Sequence, residues 1–178
     1  MKEVQILDKK FREFITEEEI REKVQELALM INTDLKGREV LFIAVLNGAF
    51  MFAADLFKRI DLKTSITFIK LSSYSGRRSS GSVRELIGWN EELEGRSVMI
   101  IEDIVDTGET LEYTYNELKG KNVSDIKVVT LLLKPAAYRK NIKLDYIGFE
   151  IPNDFVVGYG LDYNGFGRNL PSVYKIML

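Results

Sequence analysis

The sequence predicts an α/β protein: a doubly wound parallel sheet with helices on both faces, plus a small irregular hood. Three observations carry this prediction. Helical and strand periodicities alternate along the chain, as they do in strand–helix–strand units. The strand-like runs are continuous and apolar, as strands covered on both faces must be. One such run leads directly into acids, threonines and a glycine that open a helix, and ligands sit beyond strand ends of that kind. With 178 residues, one domain spanning 1–178 is expected.

Each element has a local reason. Thr16-Glu17-Glu18-Glu19 has capping-box spacing, since a Thr16 hydroxyl can serve a free N–H while Glu19 reaches back. Ile20, Val24, Leu27 and Ile31 then share one helical face, and Gly37 is a natural stop. Val40 to Leu46 is short and β-branched enough for a buried strand. Phe50 to Ile60 reads as a helix. Ser65 to Leu71 reads as a strand with Ile66, Phe68 and Lys70 on one side. Ser97 to Ile101 is a buried strand and Glu109 to Lys119 a helix ended by Gly120. Ile126 to Leu133 and Tyr146 to Ile151 are further strands, and Val173 to Leu178 is a closing apolar segment. Two stretches break the alternation. Residues 72–84, rich in serine, glycine and arginine, read either as a surface loop or as a mobile lid. Residues 153–171, aromatic and glycine-rich, read as an irregular cap over something flat.

Composition excludes several chemistries. There is no cysteine and no histidine. Disulfides, thiol nucleophiles, imidazole bases and thiolate or imidazole metal sites are therefore absent. Catalysis must run on carboxylates, lysine, tyrosine, hydroxyls, backbone dipoles or a hard cation held by oxygen. With 25 basic and 27 acidic residues, no positive excess advertises nucleic acid. The start, MKEVQILDKKFREF, lacks the apolar core of a secretory signal, and no apolar run approaches the roughly 20 residues of a membrane span. A soluble cytoplasmic protein is expected, without nucleic-acid or membrane partners.

The informative segment is VMIIEDIVDTGETL, Val98 to Leu111. Capping by Asp106 or Thr107 would explain one residue and leave Glu102 and Asp103 without a reason. A binding site explains all of them. Thr107, Gly108 and Thr110 lie where a helix begins, so N–H groups and hydroxyls converge into an anion cradle suited to a phosphate monoester. Glu102 and Asp103 offer hard oxygens to ribose hydroxyls or a hydrated Mg²⁺. Asp106, between the cradle and the acidic pair, is positioned to take a proton. Together these describe a pocket for a phosphorylated ribose.

This segment resembles the phosphoribosyl pyrophosphate signature of type I phosphoribosyltransferases: an apolar strand, two acids, then Asp-Thr-Gly-x-Thr. Lys134 after the next core strand, with GFEIPNDFVVGYGLDYNGFGRNLP beyond it, is similar to the base-binding half of the hypoxanthine-guanine members. The resemblance runs from about Leu41 to the C-terminus and implies a Rossmann-like sheet with a hood at 153–171. It implies transfer of phosphoribosyl from phosphoribosyl pyrophosphate to hypoxanthine or guanine, with Mg²⁺ as cofactor.

The resemblance also implies a site. Asp106 is the general base or acid at the purine nitrogen. The phosphate and ribose are held by Glu102, Asp103, Ile104, Val105, Asp106, Thr107, Gly108, Glu109 and Thr110. Purine contacts fall to Lys134, Phe155, Val156 and Asp162, and pyrophosphate contacts to Asn47, Gly48 and Arg168. Metal contacts are implied for Glu102, Asp103 and Asp162, and a lid role for Ser73 and Tyr74. Asn47 stands where many members carry a basic residue, which leaves that contact to backbone amides. A non-proline cis peptide is expected between Leu46 and Asn47, and a homodimer or homotetramer is implied. No motif assigns a role to the N-terminal helix, for which a surface or subunit contact is the one suggestion. Two rivals share parts of this pattern: an RNA-binding regulator of pyrimidine genes on the same fold, and a non-enzymatic doubly wound signalling domain. Neutral overall charge and the purine-type Lys134 and Phe155 disfavour the first, and the complete Asp-Thr-Gly-Glu-Thr cradle disfavours the second.

Overall fold

The computed structural model describes residues 2–73, 83–89 and 91–177. In chain order its elements are β1 (Glu3–Ile6), β2 (Lys9–Ile15), α1 (Glu17–Asp34), β3 (Glu39–Leu46), α2 (Phe50–Phe57), β4 (Lys63–Ser73), β5 (Val83–Ile87), β6 (Ser97–Val105), α3 (Glu109–Gly120), β7 (Asp125–Leu133), β8 (Tyr146–Glu150), β9 (Val156–Val157) and β10 (Val173–Ile176). A six-stranded sheet runs β5-β4-β3-β6-β7-β8. Its members are parallel except β5, which lies antiparallel on the edge beside β4.

Strand alternation separates two cores. Val40, Phe42 and Ala44 of β3 face one side and join the buried residues of α1 and α2. Leu41, Ile43 and Val45 face the other side and join Leu111 and Leu118 of α3. Both faces of the sheet are thus covered, which is why its strands read as unbroken apolar runs.

Counting only the parallel strands in chain order, the sheet runs 2-1-3-4-5, an order that reverses between β3 and β6. The chain leaves β3 for α2 on one face and leaves β6 for α3 on the other, so the two strand ends diverge. The pairing records this: β3 and β6 are in register only as far as Ala44↔Ile101, whereas β6 stays paired with β7 up to Val105↔Leu133. A crevice opens along the edge of β6 from Glu102 onward.

Helix α1 forms as its sequence requires. Thr16 Oγ1 accepts from the Glu19 N–H at 3.3 Å, and the Thr16 N–H donates to Glu19 Oε2 at 2.8 Å, completing the capping box. Ile20, Val24, Leu27 and Ile31 are all buried. The helix ends at Asp34, and Gly37 adopts φ +78° in the turn that follows. Helix α2 stops at Phe57 rather than Ile60, because the Arg59 and Ile60 N–H groups bond to the carbonyls of Leu56 and Phe57, three residues back.

Two expectations are corrected. Strand β6 does not stop at Ile101 but continues through both acids to Val105, held by β7 on one side. The hood is not simply irregular: a second, antiparallel sheet β1-β2-β10-β9 underlies it. The N-terminal residues form a hairpin, β2 pairs with β10 (Ile176↔Phe11), and β10 pairs with β9. Thr16→Ala removes the capping box of α1 and is expected to lower stability by about 1 kcal/mol, read as a reduced urea midpoint with unchanged slope.

Candidate active site

The crevice between β3 and β6 holds two adjoining cavities. One, of about 410 Å³, is lined by Leu46, Gly48, Leu71 and the stretch Glu102 to Leu111. The other, of about 320 Å³, is lined by Gly48, Asp103, Ile104, Asp106, Lys134, Phe155, Val156, Leu161, Asp162 and Arg168. Gly48, Asp103, Ile104 and Asp106 line both. The phosphate–ribose residues therefore form one half of a continuous cleft and the purine residues the other, with Asp106 at the junction.

The first half is built around the start of α3. Helix α3 is capped by Gly108 at φ +88°, and no side chain caps it. Neither Asp106 nor Thr107 takes the capping role, so the N–H groups of the first turn stay free for an external acceptor. Gly108 is required by its neighbours as well as its backbone angle: a Cβ there would lie 2.6 Å from a ring carbon of Tyr138 and 2.8 Å from Lys140 Cγ. The loop after β7 thus packs directly on the cradle, and the Arg139 N–H donates to the Thr107 carbonyl at 3.4 Å.

The acidic pair lies on the unpaired edge of β6. Glu102 is buried, and its Oε1 has no hydrogen-bond partner. Burial, then the neighbouring Asp103 carboxylate, pushes its pKa well above the usual carboxylate range. Asp103 is pushed up to about 6, chiefly by burial; the Ile104 N–H, its own N–H and Arg168 oppose the shift, and Asp162 adds to it. Two hard-oxygen groups, one of them orphaned, suit a divalent cation. Among the described residues no three such side chains form a cage.

Gly48 explains how the pair is held. The Leu46–Asn47 peptide is cis, as expected, and the loop then crosses Asp103 so closely that a Cβ on Gly48 would overlap its carboxylate. On the far side, a Cβ on Gly160 would overlap the Gly48 carbonyl, and Gly160 has φ +100°. Asn47 is exposed and lines neither cavity.

In the purine half, Lys134 is 8% exposed and its Nζ lies 2.7 Å from Asp106 Oδ2. The general-base candidate and the purine-contact candidate are thus partners. Phe155 is 45% exposed, and buried Val156 follows it. Arg168 donates to the Gly160 carbonyl and lies 2.6 Å from Asp162 Oδ1. Asp162 Oδ2 accepts the Gly165 N–H at 2.6 Å. Both Asp162 oxygens are therefore engaged in fixing Arg168 and a turn, and they form no metal group with Glu102 and Asp103.

Ser73 ends β4, its backbone in register with Val83; Tyr74 and most of the expected lid lie outside the described residues. Sequence reasoning missed Leu71 and Leu161 as lining, and Gly160 and Tyr138 as supports. Gly160, set among closely spaced glycines, carried a faint signal in its composition; Tyr138 carried none.

The raised carboxylates fix a sign. Asp103 holds its proton in the folded state up to pH about 6 but only to about 4 when unfolded. Its contribution to stability is therefore complete below pH about 4 and is lost as pH rises through about 6. Asp103→Asn is expected to raise the melting temperature relative to the parent above that window and to lose this advantage below it, as thermal unfolding across pH will measure.

The comparisons agree with this architecture. The phosphoribosyl transferase domain family matches residues 14–164. The chain is 44% identical over 160 residues to the hypoxanthine-guanine phosphoribosyltransferase of Bacillus subtilis (strain 168), covering 89% of each chain. It is 46% identical over 160 residues to the bifunctional protein TilS/HprT of Listeria monocytogenes serotype 4b, covering 89% of this chain but spanning only 25% of that longer protein. A crystal structure of a hypoxanthine-guanine phosphoribosyltransferase from Bacillus anthracis, with HEPES in its active site, is similar at a TM-score of 0.87 and 39% identity, covering 93% of this chain and 98% of that one. The chain belongs to the phosphoribosyltransferase family, among the hypoxanthine-guanine phosphoribosyltransferases.

Proposed function

We propose that this chain transfers the phosphoribosyl group of phosphoribosyl pyrophosphate to hypoxanthine or guanine, releasing pyrophosphate and giving IMP or GMP. The observation that carries the proposal is the position of Asp106. It lines both cavities, so it stands where a bond between sugar and base would form.

The residues divide the work by charge. Free N–H groups from Thr107 to Thr110 bind the 5′-phosphate, and the helix dipole favours its charge. Glu102 and Asp103 meet the ribose hydroxyls, and the negative charge of Asp103 above pH about 6 stabilises the cationic character that develops at the anomeric carbon. The Gly48 backbone and Arg168 bind pyrophosphate, with Asp162 and the Gly160 carbonyl holding the guanidinium fork in aim. Glu102 and Asp103 would hold Mg²⁺, which when bound neutralises the departing pyrophosphate.

The purine stacks on Phe155 while the Val156 backbone meets its edge. Lys134, whose ammonium has three donors, donates to the exocyclic oxygen. Its shift toward the base loosens the 2.7 Å ion pair and frees the carboxylate. As the anomeric C–O bond to pyrophosphate breaks and the C–N bond to the purine forms, Asp106 takes the proton leaving the imidazole ring. Pairing with Lys134 beforehand keeps an idle carboxylate from repelling the acidic pair beside it.

The proposal extends to a cytoplasmic protein acting as a homodimer or homotetramer. What supports it is the family membership, together with the finding that no helix among the described residues is long and apolar enough to cross a membrane. Light scattering on the purified chain checks the assembly.

Nucleotide formation from each oxopurine, with thermal shifts by GMP, IMP, XMP and UMP, tests the activity; a shift by UMP alone would favour the pyrimidine-regulator rival. Asp106→Asn is expected to reduce kcat by roughly 10²- to 10⁴-fold while GMP binding stays within a few-fold. Normal turnover would remove Asp106 from its role.

A further inference from the structure

The N-terminal hairpin matches no motif, yet it lies directly under the purine half of the cleft. Phe155 contacts two other rings. Phe11 of β2 is 6.3 Å away between centroids at 46°, and Tyr163 is 5.9 Å away, edge-on at 81°. Phe11 and Tyr163 also meet each other, at 6.2 Å. The three rings form a closed triangle. Phe11 is fully buried within it, while Phe155 turns 45% of its surface outward.

Both ends of the triangle are anchored to the hairpin. The Tyr163 hydroxyl donates to Asp8 Oδ1 at 2.9 Å, and Asp8 sits in the turn between β1 and β2. The Ile176 N–H donates to the Phe155 carbonyl at 2.9 Å, and Ile176 is the residue of β10 in register with Phe11. Ile6 of β1 packs where a Cβ on Gly167 would stand, so the same hairpin also supports the turn that carries Asp162 and Arg168.

An exposed ring with two free torsions loses that freedom when a flat ligand settles on it, and ring–ring contacts made beforehand remove the cost. We infer that Phe11, Tyr163 and Asp8 are positioning residues that fix the Phe155 ring for the base, so that the N-terminal hairpin sets purine affinity without touching the purine. The inference rests on the proposed stacking role of Phe155. A purely structural role would lower apparent kcat through loss of folded protein and leave both KM values unchanged; a positioning role moves the purine KM alone.

The test is steady-state kinetics with hypoxanthine and guanine for Phe11→Leu, Tyr163→Phe and Asp8→Ala, each alone and combined with Phe155→Leu. Circular dichroism confirms that each variant is folded. Phe11→Leu is expected to raise the purine KM roughly three- to tenfold. Tyr163→Phe and Asp8→Ala should each raise it about two- to threefold, with kcat and the phosphoribosyl pyrophosphate KM held within about twofold. In the Phe155→Leu background each change should add under about twofold, since its route to the purine has gone. If Phe11→Leu fails to fold, the Tyr163 and Asp8 variants, at an exposed link, decide the matter. An unchanged purine KM in folded variants, or the same increase without the Phe155 ring, overturns the inference. An unchanged purine KM in Phe155→Leu alone removes the stacking role itself, and the inference with it.

Discussion

Three layers of chain meet at the switch point with no side chain between them: the Asp103 carboxylate on the edge of β6, the Gly48 backbone crossing it, and Gly160 of the hood against the Gly48 carbonyl. A Cβ on either glycine would overlap the layer beside it. This close approach brings the two cavities together, with Gly48 and Asp103 lining both. It also shields the carboxylate on one side, so the acidity of Asp103 and the shape of the cleft have a common origin.

The electrostatics of the cleft follow from where strands lose partners. Beyond Ala44↔Ile101, β6 has β7 on one side and open space on the other, and there the chain carries two carboxylates that would be intolerable in the middle of the sheet. A few residues later α3 begins without a capping side chain. Unsatisfied acceptors and unsatisfied donors thus face the same cavity. Such a site is incomplete by itself, and its polar groups are completed by a ligand carrying both anionic and hydroxyl groups. The Lys134–Asp106 pair balances charge at the one position where donor and acceptor must later part.

The second sheet gives the hood a rigidity that its composition conceals. Hood residues are tied by β9 and β10 to the N-terminal hairpin, while Gly160 is tied to the core through Gly48. The exposed Phe155 ring consequently rests, through Phe11 and Tyr163, on a small packed cluster containing Ile6, Phe11, Val157 and Tyr174.

Much of this was legible in the residues. Continuous apolar runs identified buried parallel strands, because a strand covered on both faces has no polar alternation. The capping box and the Ile20–Val24–Leu27–Ile31 stripe defined α1. The run from Glu102 to Thr110 marked the lining of a cavity, because acids followed by a glycine-bearing helix start make little sense in a core. What stayed hidden was whatever depended on distant partners. The N-terminal hairpin, Lys9 to Ile15 above all, mixes charge into its apolar positions and becomes a strand only because β10 returns to pair with it. The continuation of β6 through its acids depended on β7, and the Asp106–Lys134 pair on a separation of 28 residues closed by adjacent strands. Local chemistry determined which groups this chain would use; long-range pairing and backbone contact decided which of them meet, since neither leaves a periodic mark on the sequence.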